Sequence, residues 1–407
     1  MSRANDPDYV SLTLDGEEIT LWQSYEIKIS VLTQPAAFSL QTGNGELARK
    51  LLEKFHPGMD FGLSIAGRRI QSGILEGIEV PKGGATVVRL SGRDYLSKLL
   101  RCHIETAKSF YRPTYYELTR AAMDDVGITN KLVAGNGANL KAISKPIGTT
   151  TAKLAVSPFD PEKVDDLSEQ QQEILSRQTG VALQGGGKTT FQAIRAKISG
   201  NWYDWLQKQY KPAGLFLWCA GNGDFVLSTL NTDAAPSYRF VRQRGLDRNA
   251  VNVLDHQWKN RADERHARYV VYGRSGVGPG GRHRITGEWV DVEMAAWGFN
   301  DVFVEENKKI RSKKEAQYLA RRRCAENRRA GKQLSYTVRG HLIPTRISED
   351  EVSVIYPDMT ADVQDDELGV YGTKYIESVT YSRTPETTTT AELIDPQDLA
   401  FIAEPDL

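Results

Sequence analysis

Cysteine, long apolar runs and an excess of either charge are all scarce in this chain of 407 residues. Its three cysteines, Cys102, Cys219 and Cys324, are odd in number and far apart, so we expect reduced thiols rather than a disulfide framework. Such thiols are typical of a protein that folds in a cytoplasm. No stretch reaches the roughly 18 consecutive apolar residues of a membrane helix, and the first ten residues lack the apolar core of a signal peptide. We therefore expect no membrane anchor.

The charges balance, because 52 basic and 52 acidic side chains give a formal net charge of zero. This balance excludes a globally basic nucleic-acid binder and a protein with a dominant acidic tail. A neutral chain also tends to associate, which favours a subunit of an assembly. With 40% hydrophobic residues the chain can bury real cores, and its length predicts about two to four domains.

Motifs for catalysis, cofactors and metals are lacking as well. The six histidines form no H-x-x-x-H pair, and none has cysteines at zinc spacing; no G-x-S-x-G nucleophile elbow occurs either. The sequence GGGKT at 185–189 is similar to the end of a phosphate-binding loop, but Ala182 stands where that loop needs its first glycine. We therefore predict that the protein is not an enzyme and has no catalytic residue, cofactor or metal site.

What the sequence does contain is short runs of alternating apolar and polar residues, which predict β-strands over its first hundred residues. Asp15-Gly16 is a strong signal for a two-residue hairpin turn. Gly73 and Gly77 lie inside strand-like runs and predict bulges or bends. Several short strands separated by glycine-containing turns are typical of a small barrel or a strongly bent sheet.

Helical spacing is clearest in three stretches, at 94–100, 114–126 and 202–210. The tryptophans and tyrosines of the third stretch predict core packing, with a subunit interface as the alternative. Asn222-Gly223 predicts a type I′ hairpin turn between two further strands. The chain thus divides into six predicted segments: 1–100, a first β-barrel lobe; 101–134, a helical connection; 135–193, an insertion or linker rich in Pro, Gly and Gln with a short helix near 168–177; 194–300, a helix-hairpin region and the start of a second lobe; 301–332, a basic helix; and 333–407, a β segment that completes the second lobe and ends in an acidic tail.

The strongest charge feature is the stretch 305–332, where eleven basic and four acidic side chains give a net charge of +7. A helix predicted at 313–329 carries most of these charges. The candidate residues for a partner surface or a channel lining are Lys308, Lys309, Arg311, Arg321, Arg322 and Arg323. The alternative is a solvated helix face with Ala316, Leu319 and Ala320 as its buried stripe.

The order of these motifs resembles that of a known family. SGRDYL at 91–96 closes the first β region and opens a helix, residues 201–227 give helix, strand, hairpin and strand, and YVVYG at 269–273 precedes the basic helix. This series is similar to the baseplate hub proteins of Mu-like contractile-tailed bacteriophages, also called the tail-hub or late-control-D family. The similarity covers residues 9–130 and 194–400 and rests on the order and spacing of the motifs.

The resemblance implies an α+β, β-rich fold with two similar small β-barrel lobes and helical connections. It implies a homotrimer whose six lobes form a ring around the tail channel and adapt a six-fold tail tube to a three-fold central spike. The implied partners are further copies of the chain, the tail tube protein, the central spike protein and neighbouring baseplate proteins, with DNA or a tape-measure protein passing through the channel. The implied location is the virion, after assembly in the host cytoplasm.

Three alternatives remain open. A spike-type protein of type VI secretion or a related contractile injection system should continue into a β-helical needle with repeated Val-Gly units, which this sequence lacks. A DNA-binding tail or packaging accessory protein would use the basic helix. The remaining enzyme class is a cell-wall hydrolase, although segment 135–193 is unlike a lysozyme or peptidase module.

Overall fold

The computed structural model describes residues 8–81, 87–142, 181–182, 189–190, 193–243, 252–273, 285–307, 310, 312–345 and 352–403. They belong to two compact units that alternate along the chain. The larger unit comprises Met1–Ser97, Asn130–Val133 and Lys211–Leu407, and the smaller unit comprises Lys98–Thr129 and Ala134–Tyr210. The short helix predicted near 168–177 and residues 185–188 of the GGGKT sequence lie outside the described residues. The division into six segments stays a prediction.

Strands make up most of the regular structure. The first twelve are β1 (Val10–Leu14), β2 (Glu17–Ile19), β3 (Ser24–Ser30), β4 (Ala37–Thr42), β5 (Asp60–Ile65), β6 (Arg68–Glu79), β7 (Val88–Asp94), β8 (Lys108–Phe110), β9 (Leu132–Ala134), β10 (Val181–Ala182), β11 (Thr189–Thr190) and β12 (Ile194–Ala196). The others are β13 (Phe216–Cys219), β14 (Phe225–Ser228), β15 (Tyr238–Arg242), β16 (Val253–Asn260), β17 (Arg268–Gly273), β18 (Ile285–Val290), β19 (Val302–Asn307), β20 (Lys332–Arg339), β21 (Leu342–Pro344), β22 (Val352–Val354), β23 (Met359–Asp365), β24 (Val370–Arg383) and β25 (Thr387–Ile394). The helices are α1 (Gly45–Lys54), α2 (Leu96–Arg101), α3 (Tyr115–Asp125), α4 (Trp202–Tyr210), α5 (Val292–Ala296), α6 (Lys313–Gly331) and α7 (Pro396–Ala403).

Thirteen strands of the larger unit form one sheet, in the order β16-β20-β25-β24-β3-β4-β7-β6-β5-β1-β2, with β23 paired to β24 and β15 to β23. The two halves join at the long strand β24. One edge of β24 pairs first with β23, where Ile376 faces Met359, and then with β3, where Ser378 faces Ser30. Apolar residues of both halves form one core cluster. The β-rich fold is therefore as predicted, but the described strands form an open sheet rather than two closed barrels.

The turns follow the sequence signals in one case and depart from them in another. Asp15 and Gly16 both have positive φ, 47° and 74°, as the predicted type I′ turn between β1 and β2 requires. Asn222-Gly223 was predicted to form the same turn, and this prediction is wrong, since only Gly223 of the pair has positive φ. The Asn222 side chain instead accepts a hydrogen bond from the Asp224 amide at 3.0 Å, which closes a local turn inside a longer loop.

The predicted glycine irregularities lie between β6 and β7. The register of this pair shifts between Leu75 and Gly77, which confirms a bulge at Gly77. Gly73 serves a close approach of two backbones, because a Cβ there would lie 2.1 Å from the carbonyl oxygen of Arg93. Both glycines thus bend or tighten the sheet, as expected for glycine inside a strand.

The smaller unit contains α3 and α4. A capping box starts α3, because Thr114 Oγ1 accepts from the Glu117 amide at 3.1 Å and Glu117 Oε2 accepts from the Thr114 amide at 2.6 Å. In α4, Trp202 and Tyr210 are fully buried, and the Tyr210 hydroxyl contacts Thr119 of α3. The helices predicted at 114–126 and 202–210 are therefore confirmed, as is the core role of the α4 aromatics.

A second sheet of the larger unit has the order β18-β17-β19, with β17 antiparallel to β18 and parallel to β19. Helix α6 lies across one of its faces. A Cβ on Gly287 would lie 2.1 Å from the Gln317 amide nitrogen, so glycine in β18 lets the helix backbone touch the strand. This arrangement places the predicted basic helix, confirmed here as Lys313–Gly331, between a small sheet and the rest of the unit.

Candidate functional site

Helix α6 is held against the small sheet by its apolar stripe. Ser312 caps its first turn by accepting from the Glu315 amide at 3.1 Å. Ala316 and Ala320 are fully buried in a cluster with Tyr269 and Val271 of β17. Leu319 packs against the same cluster, so the predicted stripe of Ala316, Leu319 and Ala320 is the face that α6 buries.

The arginines of α6 are engaged within the chain. Arg322 is only 8% exposed; it donates to Glu326 Oε1 at 3.0 Å and to the Lys211 carbonyl. Arg323 donates to Glu305 Oε2 at 2.6 Å and to Glu326 Oε2 at 2.7 Å. These bonds, above all the one to Glu305, raise the pKa of Arg323. Burial acts to raise the pKa of Glu326, but Arg322 and Arg323 outweigh it and lower that pKa.

The third arginine of this run lies over an aromatic ring. The Arg321 guanidinium is 5.0 Å from the centroid of Trp289 in β18, within reach of a cation–π interaction. All three arginines at 321–323 thus contact other residues of the same chain. Lys308, Lys309 and Arg311 lie outside the described residues. The assignment of these six residues to a partner or channel surface stays a prediction.

The C-terminal end of α6 enters a group of opposite charges that the sequence analysis missed. We call it the charge cluster, and its members are Arg265, Asp291, Glu293, Arg328, Lys332 and Asp398. Arg265, whose side chain is fully buried, donates to Asp291 at 2.8 Å and to Glu293 at 2.7 Å. Lys332 lies 2.6 Å from Glu293, and Arg328 lies 3.3 Å from Asp398. Burial favours the protonated Glu293, but Lys332 and Arg265 lower its pKa to about 2.

Large apolar side chains are exposed on β18, on β19 and on the segment that joins these two strands. We call this surface the apolar patch, and it consists of Val290, Val292, Trp297, Phe299, Val302 and Val304. Val292 is 76% exposed and Val304 is 59% exposed. Residues 285–307, which carry the patch, include six acidic residues and no lysine, arginine or histidine.

Three of these six acids form ion pairs with arginines of the chain, and the other three face solvent. Asp291 and Glu293 belong to the charge cluster, and Glu305 binds Arg323. Glu288, Asp301 and Glu306 are exposed around the patch. Arg268 of β17 is an exposed cation on the same sheet face, where it lies between Val290 and Val302 in the strand register. Among the described residues of this small sheet and its connecting segment, the exposed charges named here are three acids and one arginine.

A polar cleft lies elsewhere in the larger unit. It has a volume of about 810 Å³ and is lined by residues that include Asp15, Asp60, Arg69 and Tyr95. Burial, followed by the nearby Asp60, raises the pKa of Tyr95 to about 12. Among the described residues no group of three His, Cys, Asp or Glu side chains could hold a metal ion.

The cysteines do not form a reactive group. Cys219 and Cys324 are buried, and burial raises the pKa of both thiols, that of Cys324 to about 12. Cys102 is exposed, and all three cysteines are free thiols, as expected. No described helix has both the length and the apolar character needed to cross a membrane.

No protein-family model and no curated protein matches the chain. Among solved structures, a tail protein from Neisseria meningitidis MC58 is similar to it with a TM-score of 0.70 and 16% sequence identity, over 97% of this chain and 98% of that one. The 43 kDa tail protein of prophage MuSo2 from Shewanella oneidensis is similar with a TM-score of 0.68 and 15% identity, over 96% of this chain and 99% of that one. The chain therefore has the fold of these two tail proteins along almost its whole length.

Proposed function

We propose that the chain is a structural protein of a bacteriophage tail and that it forms the homotrimeric hub of the baseplate. The observation that carries this proposal is the likeness of its fold to two tail proteins, one of them from a prophage, over at least 96% of each chain. Such coverage leaves little of the chain for an additional catalytic module. The neutral charge of the chain also favours an assembled subunit.

The sheet topology supports a chain built of two related halves. Seven strands, β1 to β7, lie on one side of the β3–β24 junction, and six strands of the second half lie on the other side. Three copies of such a chain would present six lobes. A ring of six similar lobes can match a six-fold tail tube on one side and a three-fold central spike on the other.

The proposed partners follow from this role. They are two further copies of the chain, the tail tube protein, the central spike protein and neighbouring baseplate proteins, with DNA or a tape-measure protein passing through the ring. The proposed location is the virion, after assembly in the host cytoplasm. The hub role is structural, and we propose that the chain is not an enzyme; a peptidoglycan hydrolysis assay with the purified chain is expected to be negative.

The purified chain is expected to be a trimer, because heterologous contacts that close a ring satisfy every subunit surface. Light scattering after size-exclusion chromatography should give three times the mass of one chain. Negative-stain images should contain three-fold rings with a central channel. A monodisperse monomer that remains compact at high protein concentration would contradict the hub proposal.

A DNA-binding role through α6 has less support, because Arg322 and Arg323 already bind acidic side chains of the same chain. We expect Arg323→Gln to lower the free energy of unfolding by about 1–2 kcal/mol, since it removes charged hydrogen bonds at a partly exposed site. Urea denaturation measures this loss, with Lys313→Gln on an exposed position of α6 as the control. Unchanged stability together with a loss of salt-dependent DNA binding would favour the DNA-binding alternative instead.

A further inference from the structure

The polar cleft lies on the outward face of the sheet at β1, β5 and β6. Thr13, Gly62 and Ser72 pair with one another across these three strands and line the cleft. Because side chains alternate between the two faces of a strand, and the residues that flank Thr13 and Gly62 lie in the core, these positions face outward. The β1–β2 turn at Asp15 and the loop at Asn222 also line the cleft. The cleft thus has a sheet as its floor and loops as its walls.

A glycine in this floor makes room for an arginine. A Cβ on Gly62 would overlap the guanidinium of Arg69, so this guanidinium occupies the space that a side chain at position 62 would need. Arg69 is exposed, and within the described part of the chain its guanidinium has no hydrogen-bond or ion-pair partner. A guanidinium carries five N–H donors in a planar fork. The floor of the cleft therefore offers donors that a ligand can use.

Two carboxylates in the walls supply acceptors. Asp15 and Asp60 are exposed and line the cleft. The Tyr95 hydroxyl donates to Asp60, whereas Asp15 has no hydrogen-bond or ion-pair partner among the described residues. Neither carboxylate forms an ion pair with Arg69, although all three side chains line the same cleft. The cleft thus combines charges of both signs that keep hydrogen-bonding capacity for a ligand.

The lining restricts the chemistry of that ligand. Two carboxylates and one guanidinium give it a formal charge of −1, which disfavours nucleic acid and other phosphate-rich ligands. A polycation would meet Arg69 in the floor. A peptide partner usually inserts apolar anchors into apolar pockets, but none of the exposed large apolar residues of the described chain lines the cleft. A neutral compound rich in hydroxyl groups fits best, because each hydroxyl can donate to a carboxylate and accept from a guanidinium.

We propose that the polar cleft binds a neutral saccharide, with Asp15 and Asp60 accepting from its hydroxyl groups and Arg69 donating to neighbouring hydroxyl oxygens. Adjacent hydroxyls of a sugar ring match the fork of a guanidinium and the two oxygens of a carboxylate, and hydrogen bonds to charged groups are the stronger ones. The volume of about 810 Å³ lies in the range of small-molecule sites. The inference does not depend on the hub function, because every residue of the lining belongs to the larger unit of a single chain.

Isothermal titration calorimetry of the purified full-length chain tests the proposal. Maltotriose represents α-linked glucans, and chitotriose has the β-linked N-acetylglucosamine of cell-wall glycans, so the two probes distinguish the source of the sugar. Spermidine and inorganic tripolyphosphate are the charged probes. We expect saturable binding of at least one trisaccharide. If neither trisaccharide binds at millimolar concentrations, or if only a charged probe binds, the proposal is overturned.

Two variants of the cleft test the role of the guanidinium in different ways. Arg69→Met removes its donors at an exposed position. Gly62→Ala retains the arginine but displaces it, because the added Cβ meets only the end of a flexible side chain. Each should weaken saccharide binding by about tenfold or more, as expected for hydrogen bonds to a charged group. Asp15→Asn keeps the turn, since asparagine also tolerates positive φ, and should weaken binding by a smaller factor.

Matched controls lie outside the cleft, and they should bind as the unchanged chain does: Arg49→Met, Asp233→Asn and Gly200→Ala. Circular dichroism melting of each variant verifies that a change of affinity does not reflect unfolding. Unchanged affinity of both Arg69→Met and Gly62→Ala would place the saccharide elsewhere and overturn the inference. A monomeric chain that binds a trisaccharide would contradict only the hub proposal, and a trimer that binds neither would contradict only this one.

Discussion

Replacing Arg265 by methionine is expected to lower the free energy of unfolding by about 3–5 kcal/mol, the usual cost of leaving a buried charge without its partner. The Arg265 side chain is fully buried, and so is that of Asp291, to which it donates at 2.8 and 3.2 Å. Methionine fills a similar volume but donates no hydrogen bond. Among the described residues, the buried Asp291 carboxylate would then keep only the more distant Arg328, 4.0 Å away, as an ion-pair partner.

Urea denaturation of the Arg265→Met variant measures this loss, and a second substitution identifies its cause. Asp291→Asn removes the orphaned charge but retains an oxygen that can accept from the Glu293 and Met294 amides, as Asp291 does at the start of α5. The double variant should therefore be more stable than the sum of the two single losses predicts. Arg49→Met breaks an exposed pair with Glu53 and should change stability by less than about 1 kcal/mol. An Arg265→Met variant as stable as Arg49→Met would contradict the prediction.

The charge cluster also supports the apolar patch. The Arg265 guanidinium lies 5.3 Å from the ring of Trp297, a patch residue, and Asp291 caps the helix that carries Val292. The cluster thus holds the segment between β18 and β19 in place. We therefore expect Arg265→Met to loosen this segment as well as to destabilise the fold.

Much of the local structure could be predicted because its signals are local. Thr114 and Glu117 form the capping box of α3 within four residues of sequence. The stripe of Ala316, Leu319 and Ala320 defines one side of α6 by periodicity alone. Asp15-Gly16 sets its turn because both residues tolerate positive φ. At Asn222-Gly223 the same pattern failed, since the Asn222 side chain bonds the Asp224 amide and gives the backbone another way to turn.

The ion pairs of α6 and the pairing of the two halves of the sheet could not be predicted, because they depend on residues far apart in sequence. The sequence could not show whether the basic residues of 305–332 are free to bind a partner. Their acidic partners include Asp398 for Arg328 and Glu377 for Arg329, which lie far from them in sequence. The pairing of β3 with β24 joins residues about 350 positions apart, and no sequence motif predicts it. The apolar patch was missed for a different reason. Alternating valines predict a strand, but only the position of α6 decides which of the two strand faces stays uncovered.

A buried histidine is expected to make the fold sensitive to acid. His341 is fully buried, and a chain of hydrogen bonds holds its imidazole in the neutral form. The Thr389 hydroxyl donates to the Gly340 carbonyl at 2.8 Å, so its oxygen accepts from His341 Nδ1 at 2.8 Å. His341 Nε2 is then the acceptor for the Tyr25 hydroxyl at 2.7 Å. A proton on Nε2 would remove this acceptor, which links β3 to the turn between β20 and β21.

Burial, with Arg383 as a smaller cause, lowers the pKa of His341 from 6.5 to about 4. Between these two values the unfolded chain binds a proton that the native histidine does not, so this group destabilises the fold progressively as the pH falls from 6.5 to 4. The loss amounts to about 3 kcal/mol, at 1.36 kcal/mol for each pH unit. Above pH 6.5 the full stabilisation is present. Asp94 has the opposite effect on stability as the pH falls, since burial raises its pKa to about 7. Its contribution must be subtracted from the measured pH dependence of the free energy of unfolding.

Comparison with His341→Gln isolates the histidine, because Asp94 contributes equally to both proteins. Urea denaturation at pH 7.5, 5.5 and 4 should give a stability difference that favours the histidine at pH 7.5 and shrinks by about 3 kcal/mol toward pH 4. His56→Gln, at an exposed histidine, should follow the unchanged protein at every pH. A difference between His341→Gln and the unchanged chain that stays constant from pH 7.5 to 4 would contradict the prediction. In that case Tyr25, His341 and Thr389 would stabilise the junction by packing alone.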